Sequence, residues 1–318
     1  MERATTSAQK NNVALSLRQE TFRKIKRYKY LYLLLMIPII HLILFRYIPI
    51  FGNIIAFRKY QPAGSMFGTE WVGFKNFEMF LGDSSFWKIF TNTITLSIES
   101  IIITFPLPII FAILLNELRG QRFKKAVQTI SYLPHFISTI IIVGMVNEFL
   151  SPTSGIVNML IRKLGGEPIF FIVEPAYFRT IYIGTSIWQG LGWSSIIYLA
   201  ALTNIDVGLY EAADIDGAGR FKKIWHITLP GISPTVVTLF IITVGQIMSI
   251  SFEKVLMLQN GGNMEVAEVI GTYTYKMGLI NSNYSYSAAV GLFEGILGVI
   301  LVSSANFISK RLSDTALW

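Results

Sequence analysis

Few residues in this chain are of a type and spacing that could do covalent chemistry. There is no cysteine, which removes thiolate nucleophiles, thiolate metal sites and disulfides together. His41, His135 and His226 are scattered and give no ligand spacing. No G-x-x-x-x-G-K-[ST] run occurs, so ATP is not expected to bind through a phosphate loop. Gly217-Ala218-Gly219 lacks the third glycine and the preceding strand of a dinucleotide site. Asp214 and Asp216 imitate the start of a calcium loop, but Ala218 takes the next ligand position and Trp225 that of the closing glutamate. No catalytic residue, metal or cofactor is therefore expected on this chain.

What remains is a set of polar and aromatic side chains inside apolar stretches, where amide and ionisable groups are costly. Asn147 and Glu148, then Trp188, Gln189 and Trp193, then Gln246, Ser249 and Glu253, then Tyr286 and Glu294 lie in such stretches. Aromatic faces beside amides and carboxylates suit a sugar, which offers apolar C–H faces and many hydroxyls. Asn147, Trp188, Gln189, Trp193, Gln246, Glu253 and Glu294 are taken as substrate-pathway candidates, led by Trp188, Gln189 and Glu253. The competing use is hydrogen bonding between helices, at about 1 kcal/mol per contact in a membrane. Glu99 reads as structural or as facing a partner subunit.

The elements that must position these groups are membrane helices. Of 318 residues, 52% are hydrophobic and 14% charged, with a mean hydropathy of +0.52, which is too apolar for one soluble domain. Apolar windows of about 20 residues, enough for a hydrocarbon core of about 30 Å, predict an all-α polytopic protein. Its six spans are expected near 30–51, 88–115, 127–150, 179–202, 233–258 and 284–308. A basic tail, 1–29, precedes the transmembrane region, 30–312. The apolar run after the tail is long enough to span and has no small-residue cleavage site after it, so the tail reads as an anchor and not a signal peptide. Pro38, Pro106 and Pro108 should kink the first two spans. Alternate loops assigned to one side hold 17 Lys/Arg residues, the tail included, against seven in the intervening loops. The positive-inside rule then places both termini and the 203–232 loop in the cytoplasm. The net charge of +8 thus belongs to topology, and nucleic acid is not needed to explain it.

Leu209–Pro230 is the long polar segment between apolar spans of the second half. A short helix is expected from about Asp206, with Glu211, Asp214 and Asp216 suiting its positive end. Gly217 and Gly219 should stop it in the left-handed conformation. Arg220, Lys222 and Lys223 open a second short helix, which Pro230 should end. The pattern Glu211-Ala212-Ala213, three residues, Gly217, nine residues, Ile227-Thr228-Leu229-Pro230 resembles the EAA loop of ABC-importer permeases of the maltose-permease superfamily. That resemblance implies the type I importer transmembrane fold in a bacterial cell membrane. It also implies a coupling role for Glu211, Ala212, Ala213, Asp214, Gly217, Ile227, Leu229 and Pro230, whose helix would fit a cleft on an ATPase subunit. The small alanines permit close approach, and Glu211 offers one charge to a basic partner.

The likeness extends further. Trp71-Val72-Gly73-Phe74-Lys75-Asn76-Phe77 is similar to the entry to the second span in sugar-type permeases, and otherwise reads as an interfacial helix with Trp71, Phe74, Phe77 and Phe80 at headgroup depth. Tyr132-Leu133-Pro134 also resembles this permease family, and Ser251 to Leu256, Glu265 to Ile270, Thr272-Tyr273, Ala289 to Phe293 and Ser309 to Leu312 resemble the LplB-type permeases for complex oligosaccharides. Gly261-Gly262 departs from that pattern. In such systems the permease pairs with a second, related permease, two ATPase subunits carrying ATP and Mg, and an extracellular solute-binding protein, with membrane lipid around it. Ser287, Gly291 and Gly295 form a flat strip for close helix packing, within the chain or against the second permease. The alternatives are a self-contained secondary transporter, which would favour paired repeats and an ion site, and a membrane enzyme, whose acids and bases should converge at one depth.

A chain without cysteine suits topology mapping. Asp216→Cys is expected to react with an impermeant maleimide only after the membrane is opened, and Ser154→Cys in intact cells stripped of their wall. The reverse pattern would invert the topology.

Overall fold

The computed structural model describes residues 24, 26–65, 67–248 and 252–312. Most of the basic tail, Ser249, Ser251 and the chain after 312 lie outside the described residues. Four described helices are long and apolar enough to cross a membrane, and two bent pairs raise the number to six. Only a two-residue β-ladder, β1 (Arg58–Lys59) with β2 (Glu70–Trp71), interrupts the all-helical plan among the described residues.

Helix α1 (Lys29–Phe57) carries Pro38 without ending, and none of its residues before its last turn is buried. That last turn is anchored. Ala56 is fully buried, and Asn76 Nδ2 donates to its carbonyl at 2.7 Å. The aromatic run that follows is only partly interfacial. Trp71 and Phe74 are exposed, but Phe80 of α2 (Lys75–Leu81) is fully buried, with ring centroids 4.7 Å from Phe86 and 5.4 Å from Phe293. Trp71 belongs to β2 and Phe74 precedes α2, so only Phe77 and Phe80 lie on the expected helix, and a neighbouring helix covers Phe80.

Helix α3 (Ser84–Asn116) starts at Asp83, whose carboxylate accepts from Ser85 N, and is interrupted at Phe105 before Pro106 and Pro108, as expected of prolines inside a span. The third expected span, 127–150, is not one helix. Helix α4 (Gln121–Phe136) ends in a 3-10 turn at Leu133-Pro134-His135-Phe136, and α5 (Thr139–Phe149) leaves at 99°. Pro134 cannot donate to the ladder, and the backbone turns extended at Ile137 and Ser138. Helix α4 still packs tightly on α7 (Pro175–Leu202). A Cβ on Gly192 would lie 2.2 Å from the Ser131 carbonyl oxygen, so only glycine allows that approach.

Helix α8 (Val207–Ile215) leaves α7 at 73°. Helix α9 (Arg220–Gly245) then runs unbroken from the polar loop into the fifth span. The expected stop at Pro230 therefore does not occur. A π-turn at Ile224–Thr228 shifts the hydrogen-bond register just before the proline, so its missing N–H leaves the helix intact. The fifth span, expected over 233–258, is instead α9 as far as Gly245 and, past residues outside the description, the short α10 (Phe252–Leu258). After α11 (Met264–Ala267) and α12 (Ile270–Tyr275), the sixth span is α13 (Tyr284–Leu312).

At the end of the bundle opposite α8, amides hold the connections. Asn158, fully buried on α6 (Ile156–Lys163), donates to the carbonyls of Leu150, Ser151 and Ile169 and accepts from Ile169 N at 2.7 Å. Asn260 and Asn263 both donate to Ile172 O, at 2.8 and 2.9 Å. A Cβ on Gly262 would sit 2.3 Å from Val173, so the glycine that departs from the family pattern permits this contact. Lys88 also donates to Glu265 at 2.7 Å, which holds that exposed carboxyl below the ordinary carboxylate range.

Asn158→Ala should cost the assembled protein about 2–3 kcal/mol, because it strands buried backbone groups. Thermal unfolding in detergent checks this, with Glu265→Gln at the exposed pair expected to leave the transition unchanged.

Candidate functional site

Two regions collect the residues of interest. The first is the polar loop. Asp206 caps α8, its carboxylate accepting from Gly208 N at 2.9 Å. It is thus Asp206 that meets the positive helix end. Glu211 lies mid-helix, Asp214 in the last turn and Asp216 at the C-cap, so the expected dipole benefit does not apply to them. Asp214 is compensated by Lys223 Nζ at 2.6 Å instead.

Gly217 closes the helix with φ +70°, while Ala218 N donates to Ala213 O at 2.8 Å and Gly217 N to Asp214 O at 3.1 Å. This is a Schellman closure, which needs the left-handed residue. Gly219 does something different from the expectation. Its backbone is extended, and it serves as the residue before α9.

Three contacts fix the loop as a unit. Tyr210 OH and Thr228 Oγ1 share a hydrogen bond of 2.9 Å, Lys223 reaches Asp214, and Arg220 Nε lies 2.9 Å from Glu117 Oε2 at the end of α3. The motif residues divide by face. Glu211, Ala212, Asp214, Gly217 and Pro230 are exposed and Ala213 is half-buried, whereas Ile227 is half-buried and Leu229 packs on the Ala112, Tyr198 and Ile232 cluster. Thr228 is buried, and its role as the tie was not evident from the sequence. Ile215, Phe221 and Trp225 are 88%, 86% and 70% exposed, an apolar surface that the described residues of this chain leave uncovered.

The second region lies between the helices. Trp193 lines a cavity of about 420 Å³ with Thr104, Phe105, Pro108 and Tyr198, its ring stacked on His135 at 4.4 Å. Gln246 and Glu294 line another, of about 600 Å³, beside Gly245, Gly291, Gly295 and Gly298. Gln189 is committed elsewhere: its amide donates to Ile137 O, the carbonyl freed at the α4–α5 break. Trp188, Asn147 and Glu253 are exposed. The seven candidates therefore do not form one site.

The sequence reading missed a third cavity, of about 240 Å³, lined by Ser100 and Thr104 of α3 and by Tyr182, Ser186, Gly190 and Ser194 of α7. It also missed buried Lys254, whose Nζ donates to Ser186 Oγ at 3.1 Å. The signal was available in the adjacent pair Glu253-Lys254, of which the lysine is the buried member. Glu99 is paired with Arg179 at 3.1 Å, which supports its structural reading.

Comparison with known proteins decides the class. Residues 104–314 match the model of the family described as "Binding-protein-dependent transport system inner membrane component". The chain belongs to this family. It is 44% identical to the polygalacturonan/rhamnogalacturonan transport system permease protein YteP of Bacillus subtilis (strain 168), covering 95% of this chain and 94% of the relative. It is 41% identical to Protein LplB of the same organism over 92% of each. Among solved structures, a chain of a bacterial alginate ABC transporter in complex with an alginate pentasaccharide-bound periplasmic protein superposes with a TM-score of 0.85. That match has 39% identity and covers 93% of this chain and 99% of the other. The chain is thus a multi-pass permease subunit of an ABC importer, and the secondary-transporter and membrane-enzyme alternatives fall away.

Proposed function

We propose that this permease forms half of the pathway of an ATP-driven importer for complex oligosaccharides, paired with a second, related permease. An extracellular solute-binding protein would deliver the substrate, and two ATPase subunits carrying ATP and Mg would power the cycle. The single observation that carries the coupling reading is the α8–Gly217–α9 loop: a helix closed by a left-handed glycine, tied at three points and presenting uncovered Ile215, Phe221 and Trp225. The names of the relatives support the oligosaccharide class.

In this reading Glu211, Ala212, Ala213, Asp214 and Gly217 meet the ATPase. Ile227, Leu229 and Pro230 act from within, by seating the start of α9. Both termini and the loop lie in the cytoplasm, consistent with the Lys/Arg distribution. Because α9 is continuous for 26 residues, a push on the loop travels along one rod to the Gln246 end, and the bundle opens the opposite way.

Purification of the tagged chain from its host in mild detergent should recover a second permease and an ATPase, identified by mass spectrometry. A chain that purifies alone and transports in liposomes without ATP would sink the importer reading.

Gly217→Val forces a β-branched residue into the left-handed region, at about 1–2 kcal/mol of local strain. Membrane insertion should persist and ATP hydrolysis should continue, while substrate uptake falls at least tenfold. Uptake at the wild-type rate would remove the docking role from this loop.

A further inference from the structure

At the end of the bundle opposite α8, most basic side chains are already engaged. Arg179 is paired with Glu99, Lys276 with Glu268 and Lys88 with Glu265, and Arg162 donates to the carbonyls of Pro152 and Thr153. Three others come together without such partners. Arg58 and Lys59 of β1 and Lys75 at the start of α2 line one cavity of about 410 Å³, and none of them is in an ion pair among the described residues. The carboxylate in that lining is Glu70, which stands across the two-residue ladder from Lys59. Three cations against one carboxylate leave the lining positive.

Uncommitted hydrogen-bond donors line the same cavity. Arg58 Nη1 donates to Phe67 O at 3.4 Å, while its buried Nε has no partner among the described residues. A guanidinium has five N–H groups in a planar fork that fits two oxygens of one phosphate. Ser285, 7% exposed, accepts from Tyr60 N at 2.9 Å, and no hydrogen bond among the described residues uses its hydroxyl hydrogen. Ser285 also lies in the first turn of the 29-residue α13, whose first amides have no partner within the helix and whose positive end favours an anion. Charge and donors both ask for an anionic oxygen.

The surroundings indicate what carries that anion. The exposed rings of Trp71 and Phe74 both pack on Phe57, the residue before Arg58, with centroids 5.8 and 5.5 Å away. Exposed aromatic rings beside cations at the end of a span mark the membrane–water boundary, where such rings sit at headgroup level. Arg58 also follows directly on α1, whose apolar residues before its last turn are left unburied by this chain. A phospholipid uses all of these features at once, with its phosphate in the cavity and its chains beside α1. A water-soluble anion would use the cations and leave the apolar rim without a partner.

We propose that this cavity binds the headgroup of an anionic phospholipid, with Arg58 holding the phosphate and Lys59 and Lys75 flanking it. The site is assembled from the chain just after α1, the start of α2 and the first turn of α13, which meet where Tyr60 N donates to Ser285. A headgroup bound here therefore bridges the first and last spans. It fastens α1, which this chain itself holds only through its last turn.

The test places the permease, with the subunits that copurify, in nanodiscs of phosphatidylglycerol or of phosphatidylcholine. Lysines are modified with a water-soluble sulfonated succinimidyl ester, and the rate at each is read by mass spectrometry. Rates at Lys59 and Lys75 are divided by the rate at Lys163, exposed on α6 and outside the cavity, which corrects for repulsion of the anionic reagent by the charged bilayer. In phosphatidylglycerol both ratios should be at least threefold lower than in phosphatidylcholine, and Arg58→Gln should remove the difference. Equal ratios in the two lipids overturn the proposal with the wild-type protein alone, so no variant need fold. A difference that persists in Arg58→Gln assigns the shielding to the bilayer surface at large and also overturns it. Soluble glycerol phosphate added to the phosphatidylcholine discs should protect neither lysine; protection there would make the ligand a free phosphate and defeat the lipid assignment. Protection that arises only when the solute-binding protein is added gives the cavity to that protein, with the same consequence.

Discussion

In a bilayer every backbone N–H and C=O must find its partner inside the protein, and the breaks in these helices are tolerable only because neighbouring side chains supply those partners. The carbonyl of Ile137, freed where α4 turns into α5, accepts from Gln189 of α7. Ile247 O, beyond the end of α9, accepts from Ser97 of α3. Asn92 of α3 reaches the carbonyls of Glu265 and Glu268, and Thr93 Oγ1 accepts from Ile270 N at the start of α12. Each break is stitched from an adjacent helix.

This stitching explains why polar residues inside apolar spans were ambiguous. An amide in a membrane helix is there for a reason, but the reason can be a broken neighbour as readily as a substrate. Gln189 serves a backbone carbonyl, and Glu99 serves Arg179. Lys254 serves a neighbouring helix too, its Nζ donating to Ser186 Oγ of α7 at 3.1 Å.

The two ends of the bundle are built differently. Away from α8, buried Asn158, Asn260 and Asn263 pin connections that would otherwise expose backbone groups. At the α8 end the ties are fewer and come from charged or hydroxyl side chains, while large apolar residues remain uncovered. One end is closed by its own chain, and the other leaves Ile215, Phe221 and Trp225 uncovered by the described residues. The π-turn before Pro230 joins that end to the fifth span, because a proline at the root of a helix would otherwise separate loop from rod.

Hydropathy and turn chemistry made much of this legible. Apolar runs of spanning length, the Asp206 cap, the Gly217 closure and the position of α8 depend on local residue order, and a membrane demands them whatever packs alongside. The 99° break in the third span, the continuity of α9 through Pro230 and the burial of Phe80 were not legible, because each depends on which neighbour satisfies a freed carbonyl or covers one face. The same holds for the site. By itself the sequence determined that the chain crosses a membrane repeatedly and carries a helix–glycine–helix loop, since those properties are set by residues close together along the chain. Only the tertiary structure decided that Gln189 is occupied, that Gln246 and Glu294 share a cavity, and that Lys254, 68 residues from Ser186, points its charge at that hydroxyl. Those pairings join side chains distant in sequence, and no local spacing records them.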